Sequence, residues 1–321
     1  MVSEIGFGGW GIGKSWWGPT EDHTSLEALR TAFEGSVNFF DTATVYGEGH
    51  SEGLIAKVFQ GQGLQVGHTD QAFVATKVPP KNMGWPANPA TPISEAFPTD
   101  WVITSTERSL KKLGTDCVDI QQLHVWTDSW IDCDEWKRAV VRLKQEGKIR
   151  FFGVSVNDYE PESVLKLVAS GLIDTIQVIY NLFEQAPADK LFPLCEKHHV
   201  GVIVRVPFDE GSLTGTFTEK TLFPKGDFRR AFFGNGRLQE VLSRVERLKE
   251  DLPSEDQDPL SQAALKFCLS HPAVSRVIPG MRRPEHVLKN LAVSGKGIYS
   301  AEQLALLKKH IWQRNFYQFW L

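Results

Sequence analysis

Short apolar runs rich in valine, isoleucine and phenylalanine alternate along the chain with segments whose apolar residues recur at helical spacing. The runs lack a polar face, which is typical of strands buried on both sides of a parallel sheet. The pattern predicts strands over residues 2–7, 37–43, 72–77, 118–124, 149–156, 175–180, 201–207 and 275–278. It predicts helices over residues 25–36, 51–59, 100–113, 134–146, 161–169, 188–198, 238–249, 259–269 and 284–292.

This alternation predicts an α/β fold, a (β/α)8 TIM barrel, in preference to an open sheet. Such barrels routinely fold as one unit of about 250 residues or more. We therefore expect residues 1–321 to form a single domain. Residues 79–98 and 208–235 are longer than ordinary connections and follow predicted strands. We expect them to form long loops at the carboxyl-terminal face of the barrel, where lids and binding loops occur.

Three consecutive predicted strands end in chemically active side chains. Asp41 lies near the end of the second strand, and Lys77 and His124 end the third and fourth. Tyr46 follows Asp41 by five residues. At the carboxyl-terminal rim of a barrel, such residues are typical of a catalytic site. Each one alone is equally well explained as a hydrogen-bonded structural residue, but all four together favour one shared site.

The four side chains predict proton transfer to or from an oxygen atom. The Tyr46 phenol has an ordinary pKa of about 10, so a catalytic role requires a nearby cation that lowers this pKa. We expect Lys77 to supply that charge, Asp41 to keep Lys77 protonated, and His124 to hold a substrate oxygen. The set contains no hydride donor, metal site or obvious nucleophile, so it predicts a bound cofactor.

Composition narrows the choice of partners. A formal net charge of -4 and a pI of about 6.2 give no electrostatic reason to expect nucleic acid or an anionic membrane as partner. The cysteines have no metal-binding spacing, and the sequence shows neither a leader-like start nor an apolar stretch of about 20 residues. We therefore expect a cytoplasmic protein without a metal site.

Glycines near the start form a weak dinucleotide-binding motif. Gly6, Gly8 and Gly11 match the formal spacing. A true motif leads directly into a helix whose N-terminus binds the pyrophosphate, whereas a loop follows here. The sequence therefore does not support a nucleotide site at these glycines.

The residues around the four side chains resemble the aldo-keto reductases. The matching segments are residues 39–47 with Glu52 beyond them, 75–77, 123–124, 147–157, 176–181 and 277–280 with Asn290 beyond them. Together they span nearly the whole chain. The resemblance implies that Asp41, Tyr46, Lys77 and His124 are a catalytic tetrad. It further implies NADP(H)-dependent reduction of an aldehyde or ketone carbonyl, with Tyr46 as the general acid.

The resemblance also implies which residues hold the cofactor. Ser155, Asn157 and Gln177 are expected at the nicotinamide carboxamide, and the loop after the seventh strand is expected to fold over the pyrophosphate. Arg282 is expected at the adenosine 2′-phosphate. The full expected set is Trp10, Ser155, Asn157, Gln177, Arg205, Pro207, Phe208, Gly211, Ser212, Leu213, Gly215, Gly280, Arg282, Arg283, Glu285 and Asn290.

Elementary chemistry supports the expected phosphate contact independently. Arg282 and Arg283 follow the last predicted strand and lie at the start of a helix, which is a recurrent phosphate site in barrels. A guanidinium suits a dianionic phosphate, so the pair favours NADPH over NADH. Either arginine can be the one that contacts the phosphate, and a solvated arginine pair is the alternative.

The chain departs from the family pattern at two places. Many members have an aromatic residue at the end of the seventh strand, where it stacks on the nicotinamide, and this chain has Arg205. We expect its guanidinium to lie on the ring or to bind a substrate or phosphate group. The first predicted strand starts at residue 2, so we do not expect the amino-terminal hairpin that covers the barrel floor in the family. Either the chain is shortened or another segment covers the floor.

The substrate is indicated only broadly. Tryptophans in or after strand ends predict an aromatic-walled pocket for aromatic, alicyclic or sugar-derived carbonyl compounds. These tryptophans are Trp10, Trp16, Trp17, Trp85, Trp126 and Trp130. Two other functions stay open: a nucleotide-binding regulatory subunit with little turnover, and a barrel hydrolase or isomerase that uses Asp41 and His124. The sequence does not indicate the oligomeric state.

Overall fold

A computed structural model describes residues 2–14, 16–257 and 259–317. Its strands are Phe7–Gly8 (β1), Phe39–Asp41 (β2), Phe73–Val78 (β3), Val118–Leu123 (β4), Ile149–Ser155 (β5), Thr175–Ile179 (β6), Gly201–Arg205 (β7) and Val274–Val277 (β8). All eight are parallel and form one sheet in sequence order, as predicted. The first two strands are shorter than predicted: β1 comprises the last residue of the predicted run 2–7 and Gly8, and β2 comprises three residues of the predicted run 37–43.

Backbone hydrogen bonds bring the two edges of the sheet together. Val277 N–H donates to the Glu4 carbonyl at 2.8 Å, and Gly8 N–H donates to the Pro279 carbonyl at 3.0 Å. Gly8 permits this approach, because a Cβ atom at this position would lie 2.7 Å from the Ile278 carbonyl oxygen. The glycines at the start of the chain therefore serve contact between the first and last strands, which explains the dinucleotide-like spacing without a nucleotide.

The helices surround the sheet. They are Asp22–Glu34 (α1), His50–Gly61 (α2), Ile93–Ala96 (α3), Thr99–Leu113 (α4), Asp134–Gln145 (α5), Leu165–Ser170 (α6), Leu191–His198 (α7), Arg229–Phe232 (α8), Arg237–Asp251 (α9), Leu260–Leu269 (α10), Pro284–Leu291 (α11) and Ala301–Leu307 (α12). Every predicted helix is present. The additional helices α3 and α8 lie within the two predicted loops, and with four residues each they are too short for periodicity to reveal them.

Helix α12 was not predicted, although its start has a recognisable signal. The Ser300 hydroxyl accepts a hydrogen bond from the backbone N–H of Gln303, and the Gln303 side chain accepts one from the backbone N–H of Ser300. This reciprocal pair is a capping box, which satisfies two N–H groups that the first turn leaves without partners. The spacing Ser-x-x-Gln was therefore sufficient to indicate the helix.

Side chains on each strand alternate between the barrel interior and the helices. Inside, Phe39, Ala75, Ile120, Ile203 and Ile278 form a separate apolar cluster. Their apolar sequence neighbours Phe40, Val74, Val204 and Val277 belong to the larger core beneath the helices. Because the period of a strand is two, the residues two positions further along β2, β3 and β7 also point inward, one layer nearer the carboxyl-terminal rim. Among the described residues, no helix is both long enough and apolar enough to cross a membrane.

Candidate active site

The inward-facing layer above the apolar cluster is polar. Asp41, Lys77 and Arg205 follow the interior residues Phe39, Ala75 and Ile203 by two positions. Ser155 and Gln177 are the corresponding polar residues of β5 and β6 and are buried. Five strands thus place polar side chains in a ring at the carboxyl-terminal end of the barrel, where barrel active sites form.

Asp41 and Lys77 form a buried ion pair at the centre of this layer. The Lys77 Nζ donates to Asp41 Oδ1 at 2.6 Å and to the Thr42 carbonyl at 2.8 Å. Gln177 Nε2 donates to the other carboxylate oxygen at 2.7 Å. Burial raises the pKa of Asp41 and lowers the pKa of Lys77, while the attraction between the two charges opposes both shifts. The expected role of Asp41 as the counter-ion of Lys77 agrees with this geometry.

Tyr46 lies above the ion pair. Its ring centroid is 5.1 Å from Lys77 Nζ, 5.8 Å from the His124 ring and 6.2 Å from the Trp10 ring. Gly47 turns the chain directly after it with a φ of +64°, and a Cβ atom there would collide with the Gly13 carbonyl oxygen. The loops after β1 and β2 therefore interlock only because residue 47 is glycine, and this fixes Tyr46 in the site.

The ionisation of Tyr46 differs from the prediction. Burial, followed by the negative charge of Asp41, raises the pKa of the phenol well above its usual value, and the Arg205 guanidinium acts in the opposite direction. Lys77 does not produce the expected net decrease in the Tyr46 pKa, because the Asp41 carboxylate, 2.6 Å from Lys77 Nζ, offsets the positive charge of Lys77. The phenol is therefore protonated near neutral pH, which is the state that a proton donor requires.

His124 borders the same space as a neutral imidazole. Burial, then the positive charges of Lys77 and Arg205, lower its pKa well below the usual value. Its ring contacts Trp85 edge-on, with centroids 4.6 Å apart. In the part of the chain that the structure describes, the buried Nδ1 atom has no hydrogen-bond partner. A neutral imidazole beside a protonated phenol can bind and protonate a carbonyl oxygen.

Arg205 is held by the strand two positions away in the barrel. Its Nη2 donates to the Val156 carbonyl at 3.0 Å and to Asp158 Oδ1 at 2.6 Å. Its side chain is only 19% exposed, so the ion pair with Asp158 is largely buried. The guanidinium thus crosses the carboxyl-terminal end of β6, close to Gln177.

The residues predicted to bind the nicotinamide carboxamide differ in their hydrogen-bond partners. Ser155 is buried at the end of β5. The Asn157 side chain instead bonds both backbone groups of Ala87, at 3.1 Å and 3.2 Å, and also contacts Glu160 at 2.9 Å. Asn157 therefore ties the segment after β3 to the segment after β5, a structural contact that the sequence did not indicate.

The segment after β7 forms a tight turn against the end of the chain. The turn includes Pro207, Phe208, Gly211, Ser212, Leu213 and Gly215, within and around the short 3-10 helix Asp209–Thr214. Asp209 is fully buried and pairs with Arg314, and Glu210 accepts a hydrogen bond from the Tyr317 hydroxyl. Burial, followed by the neighbouring charge of Asp209, raises the pKa of Glu210 well above its usual value.

The two arginines near α11 have different surroundings. Arg282 donates to the carbonyl oxygens of Trp17 and Pro19, each at 2.9 Å, and to the Thr20 hydroxyl at 3.0 Å. Arg283 is 64% exposed, and its only recorded ion pair within the described residues is a 3.7 Å contact with Glu285. Arg282 thus holds the loop after β1, and Arg283 remains accessible.

Four of the six tryptophans predicted to wall a pocket fall into two groups, while Trp17 packs edge-on against Trp10 and Trp16 is 43% exposed. Trp10 lies against Tyr46 and stacks on Phe228, with centroids 5.1 Å apart, and Trp85 lies against His124. Trp126 and Trp130 are buried in the outer core and contact each other edge-on. Trp130 also borders a small cavity formed with the segment after β3, so the predicted role of this second pair in a substrate pocket stays a prediction.

Comparison with known proteins decides the family. The profile of the Aldo/keto reductase family matches residues 4–311. The chain belongs to this family. Among its relatives, the aldo-keto reductase YhdN of Bacillus subtilis is 30% identical over 94% of this chain and 88% of its own length. The glycerol dehydrogenase AKR11B4 from Gluconobacter oxydans has a similar structure, with a TM-score of 0.76, 27% identity and coverage of 96% of this chain and 91% of its own.

Two other relatives differ in the nucleotide that their names specify. The aldo-keto reductase yakc [NADP(+)] of Schizosaccharomyces pombe is 26% identical and covers 90% of this chain and 83% of its own length. The NADH-specific methylglyoxal reductase of Escherichia coli is 25% identical, and the match covers 94% of this chain and 92% of the length of that reductase. Membership of the family therefore does not determine which nicotinamide nucleotide this aldo/keto reductase binds.

The site itself fits a nicotinamide nucleotide. Buried nitrogen atoms without partners among the described residues occur both at the tetrad and near α11: His124 Nδ1, Arg205 Nε and Asn290 Nδ2. Gly280, between these places, borders open space, since a Cβ atom added there meets nothing within 4 Å. Unpaired buried polar groups are costly, so an elongated polar ligand that pairs with them is favoured.

Sequence reasoning missed several residues that shape this site. Asp158 orients Arg205, Phe228 stacks on Trp10, and the pair Arg314 and Tyr317 binds the turn after β7. Asp158 had one local signal, because it follows the β5 segment that resembles the family. The other three lie far along the chain from their partners, and nothing in their local sequence indicates the contacts.

Proposed function

We propose that this aldo/keto reductase reduces aldehyde or ketone carbonyls to alcohols with NADPH as the reductant. The observation that carries the proposal is the combination of a protonated Tyr46 phenol and a neutral His124 ring 5.8 Å apart, above the buried Lys77–Asp41 pair. In this proposal His124 and Tyr46 hold the carbonyl oxygen, and Tyr46 then transfers its proton to that oxygen. A bound reduced nicotinamide supplies the hydride for the carbonyl carbon.

The ion pair has a separate part in this proposal. After proton transfer Tyr46 is a phenolate, and the ammonium group of Lys77 stabilises its charge. Asp41 keeps Lys77 protonated and fixed between the carboxylate and the Thr42 carbonyl. The arrangement is rigid before substrate binds, which is what electrostatic stabilisation of a developing charge requires.

The proposed cofactor contacts follow the rim. Ser155 and Gln177 hold the carboxamide, Asn157 can accept a further hydrogen bond at Oδ1 while both of its Nδ2 donors stay engaged, and Trp10 borders the ring. The turn after β7 binds the pyrophosphate, and Gly280 and Asn290 accommodate the adenosine. The exposed Arg283 at the start of α11 is proposed to contact the 2′-phosphate, which favours NADPH. The NADP(+) in the name of the yakc relative supports this choice, whereas the Escherichia coli relative is named for NADH.

The proposed substrate is a small carbonyl compound with an apolar or aromatic part. Trp10 and Trp85 border Tyr46 and His124 and offer flat apolar surfaces. The relatives named for methylglyoxal and for glycerol act on small oxygenated molecules by name, so sugar-derived carbonyls belong in the test as well.

A carbonyl panel tests the proposal directly. Purified protein is mixed with NADPH and with methylglyoxal, benzaldehydes, cyclic ketones and aldoses, and both nucleotide binding and loss of NADPH absorbance are followed. Binding with turnover is the expected result. Binding without turnover of any carbonyl supports the regulatory-subunit alternative, for which the names of the relatives give no support. No binding at all overturns the proposed function.

A further inference from the structure

Arg205 places a fixed positive charge in the polar layer of the barrel. It is the inward residue at the end of β7 and is level with Ile179 of β6, two positions beyond Gln177, which is itself level with Ser155 of β5. Its Nη2 bonds to Val156 and Asp158 beyond β5 fix the direction of the guanidinium. Arg205 therefore crosses the same two strands that carry the proposed carboxamide-binding residues.

Arg205 shares this layer with other charged groups. Lys77 is paired with Asp41 at 2.6 Å, and burial raises the pKa of Glu210 above its usual value, against the effect of the Arg205 charge. The guanidinium charge acts on the more distant Tyr46 and His124: it contributes to the lowered pKa of His124 and opposes the rise in the pKa of Tyr46, where the Asp158 charge acts in the opposite direction to Arg205. The field of Arg205 thus reaches across the mouth of the barrel.

We propose that Arg205 makes the site bind the reduced nicotinamide nucleotide in preference to the oxidised one, and that Asp158 limits this preference. The inference rests on the proposed function. The oxidised nicotinamide ring carries a positive charge, and the reduced ring is neutral. A guanidinium can stack on either ring, but it repels only the charged one. A neutral aromatic side chain at position 205 would lack this selectivity, so Arg205 adapts the site to reduction.

Six dissociation constants, for NADP⁺ and NADPH in wild type, Arg205→Gln and Asp158→Asn, test the inference without measuring turnover. Isothermal titration calorimetry gives the ratio of the NADP⁺ constant to the NADPH constant for each variant. We expect Arg205→Gln to lower this ratio about tenfold, which corresponds to about 1.4 kcal/mol. Asp158→Asn removes the compensating carboxylate and is expected to raise the ratio. Opposite effects from the two members of one ion pair are not expected from a merely structural contact.

Three controls isolate the charge. Arg205→Lys keeps the charge and is expected to keep most of the wild-type ratio. Arg283→Gln, at the opposite end of the site, is expected to weaken both nucleotides equally and leave the ratio unchanged. The adenosine 2′-phosphate 5′-diphosphoribose fragment lacks nicotinamide, so its affinity is expected to be the same in wild type, Arg205→Gln and Asp158→Asn.

The outcomes distinguish the two proposals. If wild-type protein binds neither nucleotide, the proposed function fails, and this inference fails with it. If both nucleotides bind and the ratio is unchanged in Arg205→Gln and in Asp158→Asn, only the role of Arg205 is overturned. Should Arg205→Gln not fold, a ratio in Asp158→Asn that stays the same or falls overturns it equally.

Discussion

The Arg282 guanidinium donates a hydrogen bond to the carbonyl oxygen of Trp17 at 2.9 Å, across the gap between the last and first segments of the barrel. Further bonds to Pro19 and Thr20 complete this attachment. The arginine that the family resemblance assigns to the 2′-phosphate thus organises the loop after β1. Its neighbour Arg283 is exposed at the start of α11. The two arginines are therefore expected to respond differently to substitution.

Replacing Arg283 by alanine is expected to weaken NADPH binding by about 1.5–3 kcal/mol, the scale of a hydrogen bond to a charged group, and to leave NADH binding nearly unchanged. Replacing Arg282 by alanine is expected to weaken both nucleotides, because the loop after β1 loses its attachment. The measurement is the pair of dissociation constants for NADPH and NADH in each variant. If Arg282→Ala weakened the binding of NADPH but not of NADH, Arg282 and not Arg283 would be the residue that contacts the 2′-phosphate.

Tyr46→Phe is expected to reduce turnover by a factor of about 10²–10⁴, the usual contribution of a general acid, because the ring stays and only the proton donor is removed. NADPH affinity is expected to change little. Tyr180→Phe is the matched control, since Tyr180 is a buried tyrosine packed against Phe192 and Phe267 in the outer core. If Tyr46→Phe retains wild-type turnover with the best substrate of the panel, another residue supplies the proton.

Lys77→Met is expected to lower the free energy of unfolding by about 3–5 kcal/mol, because it leaves the buried Asp41 carboxylate without its cation. The double variant with Asp41→Asn removes both charges and is expected to recover part of this loss while remaining inactive. Urea denaturation followed by circular dichroism measures the stabilities. A double variant that is less stable than Lys77→Met would show that the ion pair is not the source of the effect.

Glu52 is expected to make stability depend on pH. It is fully buried, accepts a hydrogen bond from the Thr76 hydroxyl at 2.7 Å, and has a pKa that burial raises above the ordinary value of 4.5. At a pH between the Glu52 pKa of the unfolded protein and the higher pKa of the folded protein, the carboxyl group is protonated in the folded state and ionised in the unfolded state. The contribution of Glu52 to stability is therefore lost as pH rises through the folded-state pKa. Below the unfolded pKa that contribution is fully present.

Glu52→Gln cannot ionise, so its stability is expected to decrease less than that of the wild type as pH rises from about 4.5 towards neutrality. Thermal unfolding at several pH values compares the two curves. Glu34→Gln, at the exposed end of α1, is the control and is expected to leave the curve unchanged. Parallel curves for wild type and Glu52→Gln would mean that Glu52 titrates alike in the folded and unfolded states.

The sequence by itself determined the strands, the predicted helices and the shared position of Asp41, Lys77 and His124. The elements can be predicted locally, because a run of apolar residues indicates a buried segment wherever it occurs. The shared position of the three side chains follows because the carboxyl ends of parallel strands meet at one rim. Only the tertiary structure decided that Asp41 neutralises Lys77 before it can lower the Tyr46 pKa, and that Arg205 pairs with Asp158. The same holds for Arg282 and Thr20, which are 262 positions apart, and for Arg314 and Asp209, which are 105 apart. Hydrogen bonds and charges act through space, so their partners are set when the chain closes into a barrel and not by neighbouring residues in the sequence.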